Sequence, residues 1–197
     1  MPAANKILKN FALFVDGFGF AGNADTVQLP TVEVVKEDYR AAGMDGSIAI
    51  DMGISAMEAS FTLSSFDKNA LATWGLGEGY LVPVIVRGAL EDTSGNVEQV
   101  VAYMRGTIRS VAPSDFTPGA KATLVFTMDV REYKYEQGGE VIFDIDVPNS
   151  RRVVRGVDRN AAINNALGIG GGNALASLAQ AAGIGRTLRR VGQALGL

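Results

Sequence analysis

The chain has 197 residues, 47% hydrophobic and 20% charged, a composition that fits a folded domain and excludes a disordered chain. It has no cysteine and no histidine, which removes disulfide scaffolds, thiolate nucleophiles, Cys/His metal centres and every histidine-dependent triad. The net charge of −3 is unevenly spread: residues 1–149 hold 11 basic and 20 acidic side chains, whereas residues 150–197 hold seven arginines and one aspartate. An acidic body with a basic C-terminal arm calls for an acidic partner for that arm.

Along the chain, Lys6 and Lys9 precede a short apolar run, residues 11–15, that Asp16 closes. The run is too short for a secretory signal, and no stretch approaches the ~18 apolar residues of a membrane span. Synthesis and retention in the cytosol, without a membrane partner, are expected. A strand over 11–16 leads into Gly17-Phe18-Gly19-Phe20-Ala21-Gly22, which matches G-x-G-x-x-G. A dinucleotide site needs a helix at the last glycine. Residues 23–30 read instead as a turn and another strand, so a glycine-rich hairpin is expected. Strands follow over 26–29, 31–36 and 47–51. Between the last two, residues 39–46 form a loop with an aromatic anchor, Tyr39, small residues and an exposed Met44; such loops often carry function.

Met57, Ala59, Phe61 and Leu63 alternate with Glu58, Ser60, Thr62 and Ser64, the pattern of a half-buried strand. A short helix comes next: Asp67 caps it, Ala70, Leu71 and Trp74 form its apolar side, and Gly75 or Gly77 stops it. Strands are expected over 80–90 and 98–111. Ala122, Leu124, Phe126, Met128 and Val130 then alternate with polar residues, as do Val141, Phe143, Ile145 and Val147. Turn signals at Asp45-Gly46, Thr93-Ser94-Gly95-Asn96, Pro118-Gly119 and Gly138-Gly139 leave connections too short for helical crossovers, so the strands are antiparallel. The fold class is therefore mainly β, an antiparallel sandwich or strongly curved sheet with one short flanking helix.

Asp144 and Asp146 share one strand face, and Asp51 is a candidate neighbour. Paired carboxylates suit acid–base chemistry or a hard cation, the basis for a hydrolytic or carbohydrate-binding alternative. No third ligand or pocket motif accompanies them, so a solvated face is expected, and no catalytic residue, cofactor or metal is assigned. The body is assigned to residues 1–159 and the arm to 160–197. The arm hinges at Gly170-Gly171-Gly172. Ile184, Leu188, Val191 and Leu195 fall within about 60° on a helical wheel, opposite Arg186, Arg189 and Arg190. Gly183, Gly185 and Gly192 weaken this helix by ~1 kcal/mol each, so it needs a partner surface to order. Three arginines without following aromatics favour an acidic protein surface, such as the body of a neighbouring copy, over DNA or membrane.

The run Tyr39-Arg40-Ala41-Ala42-Gly43-Met44-Asp45, then Ile50-Asp51-Met52-Gly53 and Met57-Glu58-Ala59, closely resembles the major tail tube proteins of contractile-tailed phages and R-type pyocins. Phe14-Val15-Asp16-Gly17, Leu29-Pro30, Met104-Arg105-Gly106 and Gly156-Val157-Asp158 fit the same order and spacing, so the resemblance covers about residues 8–169. It implies a β-sandwich with one helix, six-membered rings whose inner sheets join into a barrel, and stacking of rings into a tube in the virion tail, assembled in the host cytoplasm. It further implies that residues 39–53 (Tyr39 to Asp45, with Ile50, Asp51 and Met52) reach an adjacent ring. The implied partners are further copies of the chain, the tail sheath, a baseplate or tip initiator, a tail terminator and DNA passing without specific binding. A bacteriocin or related injection tube without DNA is the alternative. Residues 170–197 lie beyond the resemblance.

Overall fold

The computed structural model describes residues 6–77 and 79–169. In chain order these form β1 (Ile7–Val15), β2 (Phe18–Gly19), β3 (Ala24–Gln28), β4 (Val34–Tyr39), β5 (Ile48–Ile54), β6 (Met57–Leu63) and α1 (Lys68–Leu71). β7 (Val82–Glu91), β8 (Val97–Pro113), β9 (Leu124–Gln137), β10 (Glu140–Asp146), β11 (Arg151–Val154), β12 (Val157–Asp158) and α2 (Ala161–Ala166) follow. Every paired strand is antiparallel. The expected β-rich class with short turns is what the chain adopts.

The main sheet runs β12-β11-β10-β9-β8-β7-β1-β2, with β6 paired to β9 and β3 to β6. β9 serves two neighbours along one edge. Residues 124–130 pair with β6, and residues 132–137 with β10. Its other edge follows β8, with register shifts between Arg105 and Gly106 and between Ile108 and Ser110. Bulges bend and twist a strand. Here they sit where the sheet curves, so that Met57, Ala59, Phe61 and Leu63 of β6 and Leu124, Phe126 and Met128 of β9 join Leu13, Val15, Val82, Val84 and Met104 in one core. The bend also dictates a residue. A Cβ on Gly106 would lie 1.9 Å from the Asp129 carbonyl oxygen, so only glycine lets the two backbones approach this closely.

At the core's centre Phe61 and Phe126 are direct cross-strand partners, with ring centroids 4.8 Å apart and planes 8° from parallel. Burying a side chain of this size stabilises the fold by about 1.5–3 kcal/mol. The glycine-rich stretch forms the expected hairpin. Val15 pairs with Phe18 across Asp16-Gly17, whose φ angles of 49° and 82° fit a primed two-residue turn.

Two elements differ from expectation, and a second short helix, α2, joins the one expected. The strand placed at 31–36 is shifted to Val34–Tyr39. The helix is a single turn. Asp67 Oδ1 accepts from the Asn69 and Ala70 N–H groups at 2.7 and 3.3 Å, as its cap role requires. The helix ends at Leu71, however, and Gly75 turns the chain at φ 77°. Of the expected apolar side only Ala70 is buried; Leu71 and Trp74 are exposed. Trp74 bridges Ile108 on β8, and its indole N–H donates to the Arg109 carbonyl at 3.2 Å. Gly106 is the last β8 residue paired with β7, so Trp74 lies along the stretch where that edge of β8 has no strand neighbour.

β11 and β12 close the segment read as the body, and α2 lies in the segment read as the arm. Asn160 and Asn164 donate side-chain N–H groups to the Ser150 carbonyl at 3.1 and 2.9 Å, which fastens α2 to the turn after β10.

Candidate functional site

β4 and β5 form a two-stranded sheet of their own. The register pairs Tyr39 with Ile48, Asp38 with Ala49, Glu37 with Ile50 and Lys36 with Asp51. Directly paired residues share a face and successive residues alternate. One face therefore carries Val35, Tyr39, Ile48, Ile50 and Met52 around Glu37, and the other carries Lys36, Asp38, Ala49 and Asp51. The apolar face is uncovered: Tyr39, Ile48 and Met52 are 51, 53 and 57% exposed. An isolated two-stranded hairpin is marginal in water, and a contiguous exposed apolar stripe marks a surface that another molecule covers.

The connecting turn is tighter than a long loop. The Met44 N–H donates to the Ala41 carbonyl at 3.2 Å, the Ala41 N–H donates to Met44 Sδ at 3.3 Å, and Gly43 takes φ 90°. Arg40 Nε donates to the Met44 carbonyl at 3.4 Å. The expectation of an exposed Met44 is thereby corrected: its thioether folds back on its own turn and the side chain is half-buried. Ala42, Gly43 and Asp45 form the exposed tip.

The hairpin is tethered at its base. Arg152 of β11 donates from Nη2 to Asp51 Oδ2 at 3.0 Å and from Nη1 to Oδ1 at 3.5 Å. Asp51 Oδ1 also accepts the Gly53 N–H at 2.8 Å, where Gly53 takes φ 105°. The Arg152 guanidinium, and then the Gly53 N–H, hold the Asp51 carboxyl below the usual carboxylate range. The sequence-derived set is thus divided by the structure. Tyr39, Ile50 and Met52 share the apolar face, residues 40–45 make the turn, and Asp51 points to the polar face as an anchor. Val35, Ile48 and Arg152 complete the site and were missed. The alternation of Ile48, Ile50 and Met52 carried a signal for Ile48, and the Val35, Glu37, Tyr39 spacing only a weak one for Val35; Arg152 had none.

Asp144 and Asp146 border one open pocket of about 260 Å³ with Glu132, Arg105, Lys134 and Arg151, and Asp51 is not among its lining residues. Asp144 pairs with Arg151 and Asp51 with Arg152. Asp146 accepts from the Asn149 backbone N–H at 3.2 Å and from its side-chain amide at 2.7 Å. No cluster of three or more acidic residues poised for a metal occurs among the described residues. The face opposite the core instead pairs Arg105 with Glu132 and Lys134 with Glu136. Ile184, Leu188, Val191, Leu195, Arg186, Arg189 and Arg190 of the arm lie outside the described residues.

Comparison with known proteins bears on this surface. The family model for phage tail tube protein FII matches residues 5–168. The tail tube protein of Escherichia phage P2 is 27% identical over 156 residues, 77% of this chain and 91% of that protein. The major tail tube protein of Serratia phage KSP20 is 28% identical over 149 residues, 75% of this chain and 86% of its own length. In fold, the chain is similar to one in the extended PVC sheath–tube complex of an extracellular contractile injection system. The TM-score is 0.50 at 10% identity, covering 64% of this chain and 88% of that one. A chain of the extended PVC sheath/tube terminator gives 0.52 at 10% identity, covering 66% and 95%. The match spans the body from β1 through α2, hairpin included, and the chain belongs to the phage tail tube protein FII family, as a structural subunit of a tail tube.

Proposed function

We propose that six copies of this subunit close into a ring and that the rings stack into the tube of a contractile phage tail, with the β4–β5 hairpin seated on the adjacent ring. The single observation that supports this reading is the uncovered apolar face of that hairpin. A ring is a head-to-tail interface that closes, and stacking is one that does not, so ring closure and tube growth use two different subunit surfaces, the hairpin serving growth. Strand edges left open in the free subunit are removed when sheets of neighbours join. The sheath surrounds this tube, a baseplate or tip complex starts it and a terminator ends it.

DNA passes through the lumen without specific binding. The face formed by β8–β11 suits such a conduit, because Arg105, Lys134 and Arg151 are each matched by a carboxylate and offer phosphates no uncompensated basic strip. A second reading, an injection tube without DNA, draws support from the fold shared with chains of a contractile injection system.

Electron microscopy of purified tails from cells carrying the gene, with mass spectrometry of their tube, tests the proposal. Hollow stacked six-fold rings made of this chain are expected, joined to DNA-filled capsids. Bare contractile tails would favour the second reading, and tails lacking this chain would overturn both.

A further inference from the structure

A second uncovered apolar surface lies outside the hairpin. Phe66, Leu71, Trp74, Pro113 and Phe116 line a groove of about 320 Å³ floored by Val111 and Leu124. Trp74 is 58% and Phe116 79% exposed, and the Phe66 and Phe116 rings lie 5.3 Å apart across it. Nothing among the described residues covers these rings. We propose that the groove is the docking site for residues 184–195 of the C-terminal arm.

Three observations select that occupant. The family match ends at residue 168, and residues 170–197 still carry four aliphatic side chains on one helical stripe, Ile184, Leu188, Val191 and Leu195. Such a stripe, weakened by glycines, requires an apolar partner. The arm is purely basic, with Arg186, Arg189 and Arg190 and no acidic residue after Asp158, while the groove residues Phe66 and Phe116 have Asp67 and Asp115 as chain neighbours, the nearby Arg109 is paired with Glu58 and Asp129, and the body is acidic overall. Reach also suffices. The last described residue, Ile169, is bonded to Asn164 of α2, which the Ser150 turn holds beside Arg131, where the Val147 N–H meets the Arg131 carbonyl. From there to Leu124 at the groove is seven residues along β9, roughly 23 Å of strand. The 14 residues 170–183 can extend to about 46 Å. The arm of the same copy therefore reaches the groove, as does that of a close neighbour.

The chain supplies its own probe, because Trp74 is its sole tryptophan. Acrylamide quenching of Trp74 fluorescence is measured on the full chain and on the full-length double variant Leu188→Asp, Val191→Asp. Docking is expected to give blue-shifted, weakly quenched emission that becomes red-shifted, with a quenching constant at least threefold higher, in the variant. The absence of cysteine allows a second readout, a disulfide between Phe116→Cys and Leu188→Cys, with Ser94→Cys and Leu188→Cys as control. Preferential oxidation of the first pair, within or between chains, supports the proposal. Emission that is exposed in both proteins, or shielded in both, overturns it, as does equal oxidation of the two pairs. Tube formation is a separate property, so failure here leaves the ring-stacking reading standing.

Discussion

Gly106 and Asp51 show how single residues set this structure. At Gly106 a methyl group would meet the Asp129 carbonyl oxygen at 1.9 Å, and backbone cannot yield as a side-chain tip does. Gly106→Ala is expected to cost about 2 kcal/mol or more, lowering the melting temperature of the unassembled subunit by roughly 4–8 °C. Calorimetry checks this; an unchanged transition would remove the close-approach argument. Asp51 has a folded-state pKa below its unfolded value, so its tether is fully present above the unfolded pKa and is lost as pH falls through the folded one. The protection of the Gly53 amide, its exchange rate relative to the intrinsic rate at each pH, should therefore be greater at neutral pH than in acid below the carboxylate range, and Asp51→Asn should abolish that contrast. The capping role of Asp67 was legible because cap and helix are neighbours in sequence. Arg152 was not, because it lies 101 positions from Asp51 and only the curvature of the sheet brings them together.

Among elements, strands were the most legible, since alternation along Met57–Leu63 and through residues 122–130 reports directly which face is buried. Phe61→Ala, which removes half of the central ring stack, should destabilise the subunit by about 3–5 kcal/mol in denaturant titration. The helix was overread: propensity placed Leu71 and Trp74 on its inner side, but it stops after one turn and the tryptophan covers a strand edge instead. β11 and β12 have four and two residues, too few to show a period, and Arg151 and Arg152 counted toward the basic charge of residues 150–197 although both are engaged within the body. Among the described residues nothing covers the apolar face of the β4–β5 hairpin, so its amides should exchange much faster than those of β9 in the free subunit and become protected in the assembled tube. Equal exchange rates in the two states would place the inter-ring contact elsewhere.

For the whole molecule, composition and charge delimited the chemistry, and the alternation pattern gave a curved antiparallel sheet. The way β9 serves both β6 and β10 was not legible, because both pairings use the same strand and local sequence does not mark the division. The functional surface was half legible: the motif around residues 39–53 marked the hairpin, while its division into an apolar docking face and a polar, tethered face follows from register alone. That division makes the central claim testable by one comparison. Ile50 is exposed and pairs with Glu37, so Ile50→Asp should cost the free subunit no more than about 1 kcal/mol and leave the body folded. Electron microscopy of wild-type and Ile50→Asp protein, each added to the same tail tips as growth seeds, should show long hollow tubes for the wild type and bare tips for the variant. Tubes of equal length from both proteins would contradict the assignment of this hairpin as the surface that stacks the rings.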